Sequence, residues 1–157
     1  MRTESHSANL LRRALLVTIV LSPIPLMAQP KTLIEVWKTP TCGCCKDWVS
    51  HLEANGFEVT THDVSDTSSV RQRNRIPDAF GSCHSAVVGE YVLEGHVPAR
   101  EITRLLKEKP NAVGLAVPSM PLGSPGMDGP DYGGRHMAYD VLLVLPSGKA
   151  EVYQSYT

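Results

Sequence analysis

No run of basic residues interrupts this sequence. Its 157 residues carry 15 Lys and Arg against 16 Asp and Glu, a formal net charge of −1. Without a basic stripe there is no electrostatic footprint for nucleic acid or for an anionic membrane surface. A long apolar run is missing as well. The nearest approach, LLRRALLVTIVLSPIPLMA, is short and broken by Pro23 and Pro25, which argues against a membrane span. Internal repeats are absent. So is any heptad or long apolar stripe that would call for a second chain, and a monomer is the default expectation. With cysteine at 42, 44, 45 and 83, a second spaced Cys-x-x-Cys pair is also lacking, and three cysteines in four residues suit a closed tetrahedral zinc site badly.

The N-terminus does hold a targeting pattern. Arg12 and Arg13 precede the apolar stretch, and Ala28 is a small residue at a cleavage position, so residues 1–28 read as a secretory signal peptide. Leu26 is larger than the small residue usual at its place, and the rest of a twin-arginine motif is missing. Removing Arg2, Arg12, Arg13 and Glu4 with that segment leaves 12 basic and 15 acidic residues and no expected hold on a membrane. An exported chain meets an oxidising compartment, where cysteine pairs become disulfides.

The remaining length fits one domain. TLIEVWK predicts a buried strand over about Leu33 to Lys38. From Cys44 the spacing of Trp48, Val49 and Leu52, closed by Gly56, predicts an amphipathic helix. FEVTTHDV reads as a strand with Phe57, Val59 and Thr61 on one face. SDTSSVRQRNRIP reads as a short polar helix capped by Ser65 or Asp66 and stopped before Pro77. A hairpin about Gly89-Glu90 follows, then a helix opened by Pro98, lined by Ile102, Leu105 and Leu106 and ended by Pro110. This order predicts an α/β fold, a central mixed sheet with helices on both faces. From Asn111 the chain is dense in Pro and Gly, holds Met120, Met127 and Met137, and is expected to lack regular structure until a closing hairpin about Ser147-Gly148. That final hairpin argues that the loop is pinned to the domain. The organisation expected is a domain over 29–110 and an extension over 111–157.

Three cysteines in four residues close almost no loop, so they make a poor structural staple; the crowding is chemical. With Cys42 at the end of the first strand and Cys45 in the first turn of the helix, free N–H groups and the macrodipole favour thiolate, making the sulfurs nucleophiles and metal ligands. WKTPTCGCCKDW resembles the thioredoxin active-site turn, with Cys44 in place of its proline. GSCHSAVVGEYVLEGHVPAREITRLLKE is similar to the thioredoxin segment that runs from the cis-proline into the last helix. The cis-proline itself is absent, a departure from ordinary disulfide-exchange sites. Taken together, the Cys-x-Cys-Cys turn, Cys83-His84, EGHVP and VPSMPLGSPGMDGP resemble the CopG-type family of bacterial copper-resistance proteins over essentially the whole chain after residue 28. The resemblance implies a periplasmic, thioredoxin-like domain whose C-terminal segment helps bind a copper cluster, a role in interconverting copper oxidation states, and a link to copper efflux.

The residues argue for copper on their own. Cu(I) is soft and takes two or three thiolate, thioether or imidazole ligands. Cys42, Cys44, Cys45 and Cys83 offer sulfur, Met120 and Met127 thioether, and His84 or His96 imidazole. Cys44 is expected to bridge metals, turning a dithiol into a face that holds several ions, with Cys42 and Cys45 as the redox pair. Two other functions stay open: a thioredoxin-type thiol-disulfide oxidoreductase, with Cys44 spare or joined to Cys83, and a passive Cu(I) carrier or buffer. His136 and Met137 are weaker ligand candidates. His51 and His62 read as surface or structural residues, and Trp37 and Trp48 as packing that also shields the turn.

Overall fold

The computed structural model describes residues 30–157; the segment read as a signal peptide lies outside the described residues. Seven strands and three helices succeed one another: β1 (Leu33–Lys38), α1 (Gly43–Ala54), β2 (Glu58–Asp63), α2 (Ser68–Arg73), β3 (His84–Val88), β4 (Tyr91–Glu94), α3 (Ala99–Glu108), β5 (Gly114–Ala116), β6 (Tyr139–Val144) and β7 (Ala150–Tyr156). All the strands join one sheet in the order β2-β1-β3-β4-β5-β6-β7. The β1–β2 and β4–β5 pairs are parallel and the rest antiparallel, so the sheet is mixed, as the element order predicts.

Strand alternation sorts the apolar residues onto two faces. Ile34, Val36, Ala86, Val88, Leu93 and Leu115 point to one side, where α1 contributes Trp48 and Leu52 and α3 contributes Ile102 and Leu105. Each fully buried Val, Leu or Ile among them stabilises the fold by about 1.5–3 kcal/mol. Val92, Ala116 and Val144 point to the other side and meet Ile76 and Phe80 from the segment after α2. Both faces are therefore covered.

Some expectations need correction. Residues 111–138 are not without regular structure: Gly114, Leu115 and Ala116 form β5, wholly buried between β4 and β6. A high count of Pro and Gly across the segment hid this short apolar run. Gly114 has a packing reason, because a Cβ there would sit 1.8 Å from the Val92 carbonyl oxygen. Phe57, just before the edge strand β2, reaches the core and Val59 on that strand packs beside it, but Thr61 is exposed. The polar helix starts at Ser68 with Thr67, not Ser65 or Asp66, at its N-cap position, and Asp66 accepts the Ser68 N–H at 3.0 Å from just outside it. The closing hairpin extends the central sheet, carrying it without a break across the 110/111 boundary.

Candidate metal centre

Strand directions bring one group of residues to one end of the sheet. β1 ends at Lys38, which is in register with His84 at the start of β3, and Ser85 faces Glu94 at the end of β4. The turn after β1, closed by Cys42 N–H donating to Thr39 O at 3.2 Å, delivers Cys42 to the N-cap of α1 and places Cys44 and Cys45 in its first turn. Cys83 precedes β3 and His96 follows β4 by one turn. Residues far apart in the chain therefore share one corner.

Cys42 and Cys45 are joined in a disulfide, while Cys44 and Cys83 are free. The two turn sulfurs expected as thiolates are thus stored as a bond, and the alternative Cys44–Cys83 link is not formed. Cys42 Sγ lies 3.6 Å from Cys44 Sγ, and Cys83 Sγ lies 3.8 Å from Cys44 Sγ and 3.5 Å from Cys45 Sγ. On its other side, Cys83 Sγ is 3.3 Å from His84 Nδ1 and 3.2 Å from His96 Nε2. Two donor groups result, Cys42/Cys44/Cys45/Cys83 and Cys83/His84/His96, each with its ligand atoms within 4.8 Å of one another. Cys83, rather than Cys44, holds the shared position.

The imidazoles are set for lone-pair donation. His96 is buried, and its Nδ1 is 2.8 Å from the Pro125 carbonyl. A carbonyl only accepts, so Nδ1 carries the proton and Nε2 turns its lone pair toward Cys83. His84 is fully buried against the Trp48 ring, with centroids 4.3 Å apart, and edge-on to His96 at 4.9 Å. Its Nε2 is buried without a hydrogen-bond partner. Burial, then the neighbouring His96, pushes the His84 pKa well below its ordinary value, and burial lowers that of His96, so both rings stay neutral. Burial, reinforced by Cys44, pushes the Cys83 thiol up to about 12. That sulfur keeps its proton at neutral pH until a cation displaces it.

The Pro/Gly loop lies on this corner. Ser124, Pro125, Gly126 and Met127 are all buried. Gly126 has φ +83°, and a Cβ there would meet the Cys44 carbonyl oxygen at 2.6 Å and the Trp48 nitrogen at 2.8 Å; only glycine lets the loop settle on the first turn of α1. Met127 belongs to neither apolar core cluster. Met120 is half exposed and lines a groove with Met137 instead. His136 is exposed. His51 is structural, its Nε2 accepting the Ala99 N–H at the start of α3 at 3.1 Å, and His62 stacks on Trp37. Trp48 donates to Val97 O at 2.8 Å and also roofs His84, combining the packing and shielding expected of it.

Sequence reasoning missed the support beneath Cys83. Glu94 is fully buried; its Oε1 accepts from Ser82 N–H at 2.7 Å and from Arg71 Nη1 at 3.1 Å, and its Oε2 accepts from Ser85 Oγ. Burial pushes the Glu94 carboxyl up against the pull of these donors. The signal in the sequence was a lone carboxylate closing the apolar strand run YVLE, next to Gly95-His96.

The family described as Protein of unknown function, DUF411, matches residues 80–127, the segment carrying Cys83, His84, His96 and the buried loop. No curated protein matches the chain. Two solved structures of the copper resistance protein copG do. Its form 2 is 47% identical with a TM-score of 0.76, over 82% of this chain and 100% of that one. Its form 1 is likewise 47% identical, with a TM-score of 0.74, over 81% of this chain and 98% of that one. With this identity across nearly the whole of those chains, and the cysteine and histidine corner built as above, the protein belongs to the family of the copper resistance protein CopG.

Proposed function

We propose that this protein is an exported, periplasmic copper-binding protein that moves copper between Cu(I) and Cu(II) as part of copper resistance, with copper as cargo and substrate. The observation that carries the reading is the convergence of the three turn sulfurs and two buried neutral imidazoles on Cys83. Soft sulfur and borderline nitrogen favour Cu(I) over hard cations, and a sulfur within reach of both donor groups can bridge ions. Cys42, Cys44, Cys45, Cys83, His84 and His96 would form the shell, with Met127 on the buried loop as the extension's thioether. The chain acts as a monomer and passes its copper to an efflux system.

The disulfide supplies the electron balance. When the Cys42 and Cys45 thiolates join, two electrons leave the sulfurs and reduce two Cu(II) to two Cu(I); reduction of the bond by an external thiol resets the pair. Cys44 and Cys83 stay reduced through the cycle and hold the product as thiolates. A second reading, thiol-disulfide exchange on protein substrates, is favoured by the same bond at a helix N-terminus.

Metal analysis of the reduced protein loaded with Cu(I), beside Cys44→Ser, separates these. The copper reading expects bound copper to fall in the variant, and anaerobic mixing of reduced wild type with Cu(II) to yield two Cu(I) per disulfide formed. Full copper loading together with retained disulfide-reductase activity in Cys44→Ser would overturn it in favour of thiol exchange.

A further inference from the structure

Large apolar side chains are seldom left in solvent here: among the described residues, Leu33, Met120, Met137 and Val152 are the exposed ones. Two of them are methionines, and both line one open groove of about 410 Å³, walled by Pro118, Pro121, Tyr139 and Leu142. The backbone holds both sides of it. Met137 N–H donates to Leu122 O at 2.9 Å, tying the outgoing strand of the loop to the incoming one. The groove also adjoins the metal corner. The Ser119 carbonyl, next to Met120, accepts from Ser82 Oγ, and that hydroxyl is 4.0 Å from Cys83 Sγ.

Thioethers differ from the thiols behind them in one respect that matters here. Being neutral, they hold a soft cation less tightly than a thiolate does. A thioether pair at the surface followed by cysteine sulfurs inside therefore sets a gradient from loose to tight. Asp140, whose carboxylate accepts from Ser155 Oγ at 2.6 Å, also lines the groove, so the preference for a soft cation rests on the two thioethers.

We propose that Met120 and Met137 form a second metal site, a surface thioether docking point for a monovalent soft cation that is then passed to Cys44 and Cys83. This rests on the copper reading above. In the transfer the metal keeps its oxidation state: its bonds to the two thioether sulfurs break, bonds to the two cysteine sulfurs form, and the displaced thiol protons leave to solvent.

The test titrates Ag(I), a redox-inert stand-in for Cu(I), into the intact reduced protein with 13C-labelled methionine methyls. Metal bound per chain is measured in parallel for wild type and for the Met120→Leu, Met137→Leu double variant, which keeps the apolar bulk but removes the sulfurs. The expected result is that the Met120 and Met137 methyl signals shift together. The double variant should lose roughly one weakly held equivalent while the cysteine-bound silver is unchanged. Filled cysteines with unmoved Met120 and Met137 signals overturn the thioether site and leave the copper reading standing. Shifted methionines with cysteines that take no silver overturn the handover and the copper reading together. The methyl shifts are read on wild type, so the result does not depend on the variant folding.

Discussion

The cysteine turn and the histidine shelf meet at Cys83 but differ in kind. Cys42, Cys44 and Cys45 lie within four residues at a helix tip, partly open to solvent except for Cys45, with two of the three sulfurs locked in a bond that can be made and broken. His84 and His96 come from different strand ends, are fully buried, and are fixed by the Trp48 ring and the Pro125 carbonyl. One region is built to change its number of free sulfurs; the other is built not to change. The proposed electron transfer on bound copper would use both, and among the described residues Cys83 is the one that faces each.

Cys83→Ser is the sharpest way to break that comparison. Serine keeps the size but replaces a soft donor with a hard one, so both donor groups fail at once and the protein should lose roughly half or more of its bound copper. Cys44→Ser, which touches the turn alone, should lose less. Equal losses by elemental analysis would mean that the two regions act as a single group and that the shared position of Cys83 carries no weight.

The next effect lies beneath the shelf. Glu94→Gln leaves the Arg71 guanidinium facing an uncharged amide, with Asp78 as its remaining ion-pair partner at 3.2 Å. The variant should lose about 2–3 kcal/mol of unfolding free energy in urea titrations, below the full cost of stranding a buried charge because Asp78 still serves it. Cys83 should also react faster with an alkylating agent, because an uncharged amide oxygen holds the Ser82 N–H more weakly than the carboxylate does. A variant as stable as wild type, with Cys83 no more reactive, would remove Glu94 from the support of the site.

The smallest effect is a pH dependence outside the metal corner. Burial lowers the His51 pKa, with Asp128 opposing, and the neutral ring accepts the Ala99 N–H. A histidine whose folded pKa lies below its unfolded value binds protons more readily in the unfolded chain. Stability is therefore unaffected above the ordinary imidazole range, falls as pH drops through it, and levels off below the folded pKa. His84 and His96 shift in the same direction. In the metal-free protein, His51→Gln, whose amide oxygen still accepts the bond but does not titrate, should show a smaller fall in melting temperature between neutral and acid pH than wild type. An identical fall would assign the acid sensitivity to the shelf alone.

Much of the scaffold was legible from short-range pattern. The apolar run LIEVWK, the spacing of Trp48, Val49 and Leu52, the Gly89-Glu90 turn and the Pro98 start of α3 each depend on neighbours within a few residues, and each stands where the pattern put it. β5 was not legible, because three residues are too few to show a period and their pairing partners lie in β4 and β6. The ion pair of Arg71 with Glu94 joins residues 23 apart through the packing of α2 against the sheet, a contact no local rule foresees. Met120 and Met127 look alike in a Pro/Gly-rich stretch, yet one is half exposed in a groove and the other buried, because Gly126 pins the residues around Met127, and not Met120, to α1.

The order of residues alone determined that three sulfurs would crowd one helix tip, since that crowding is a matter of sequence spacing and survives any fold that places a helix there. Which other atoms meet those sulfurs was decided by tertiary structure. Cys83 reaches Cys45 across 38 positions and His96 finds Pro125 across 29 because β1, β3 and β4 end together and the loop folds back over them. Strand pairing fixes distances between remote residues, and a metal shell is a statement about distances.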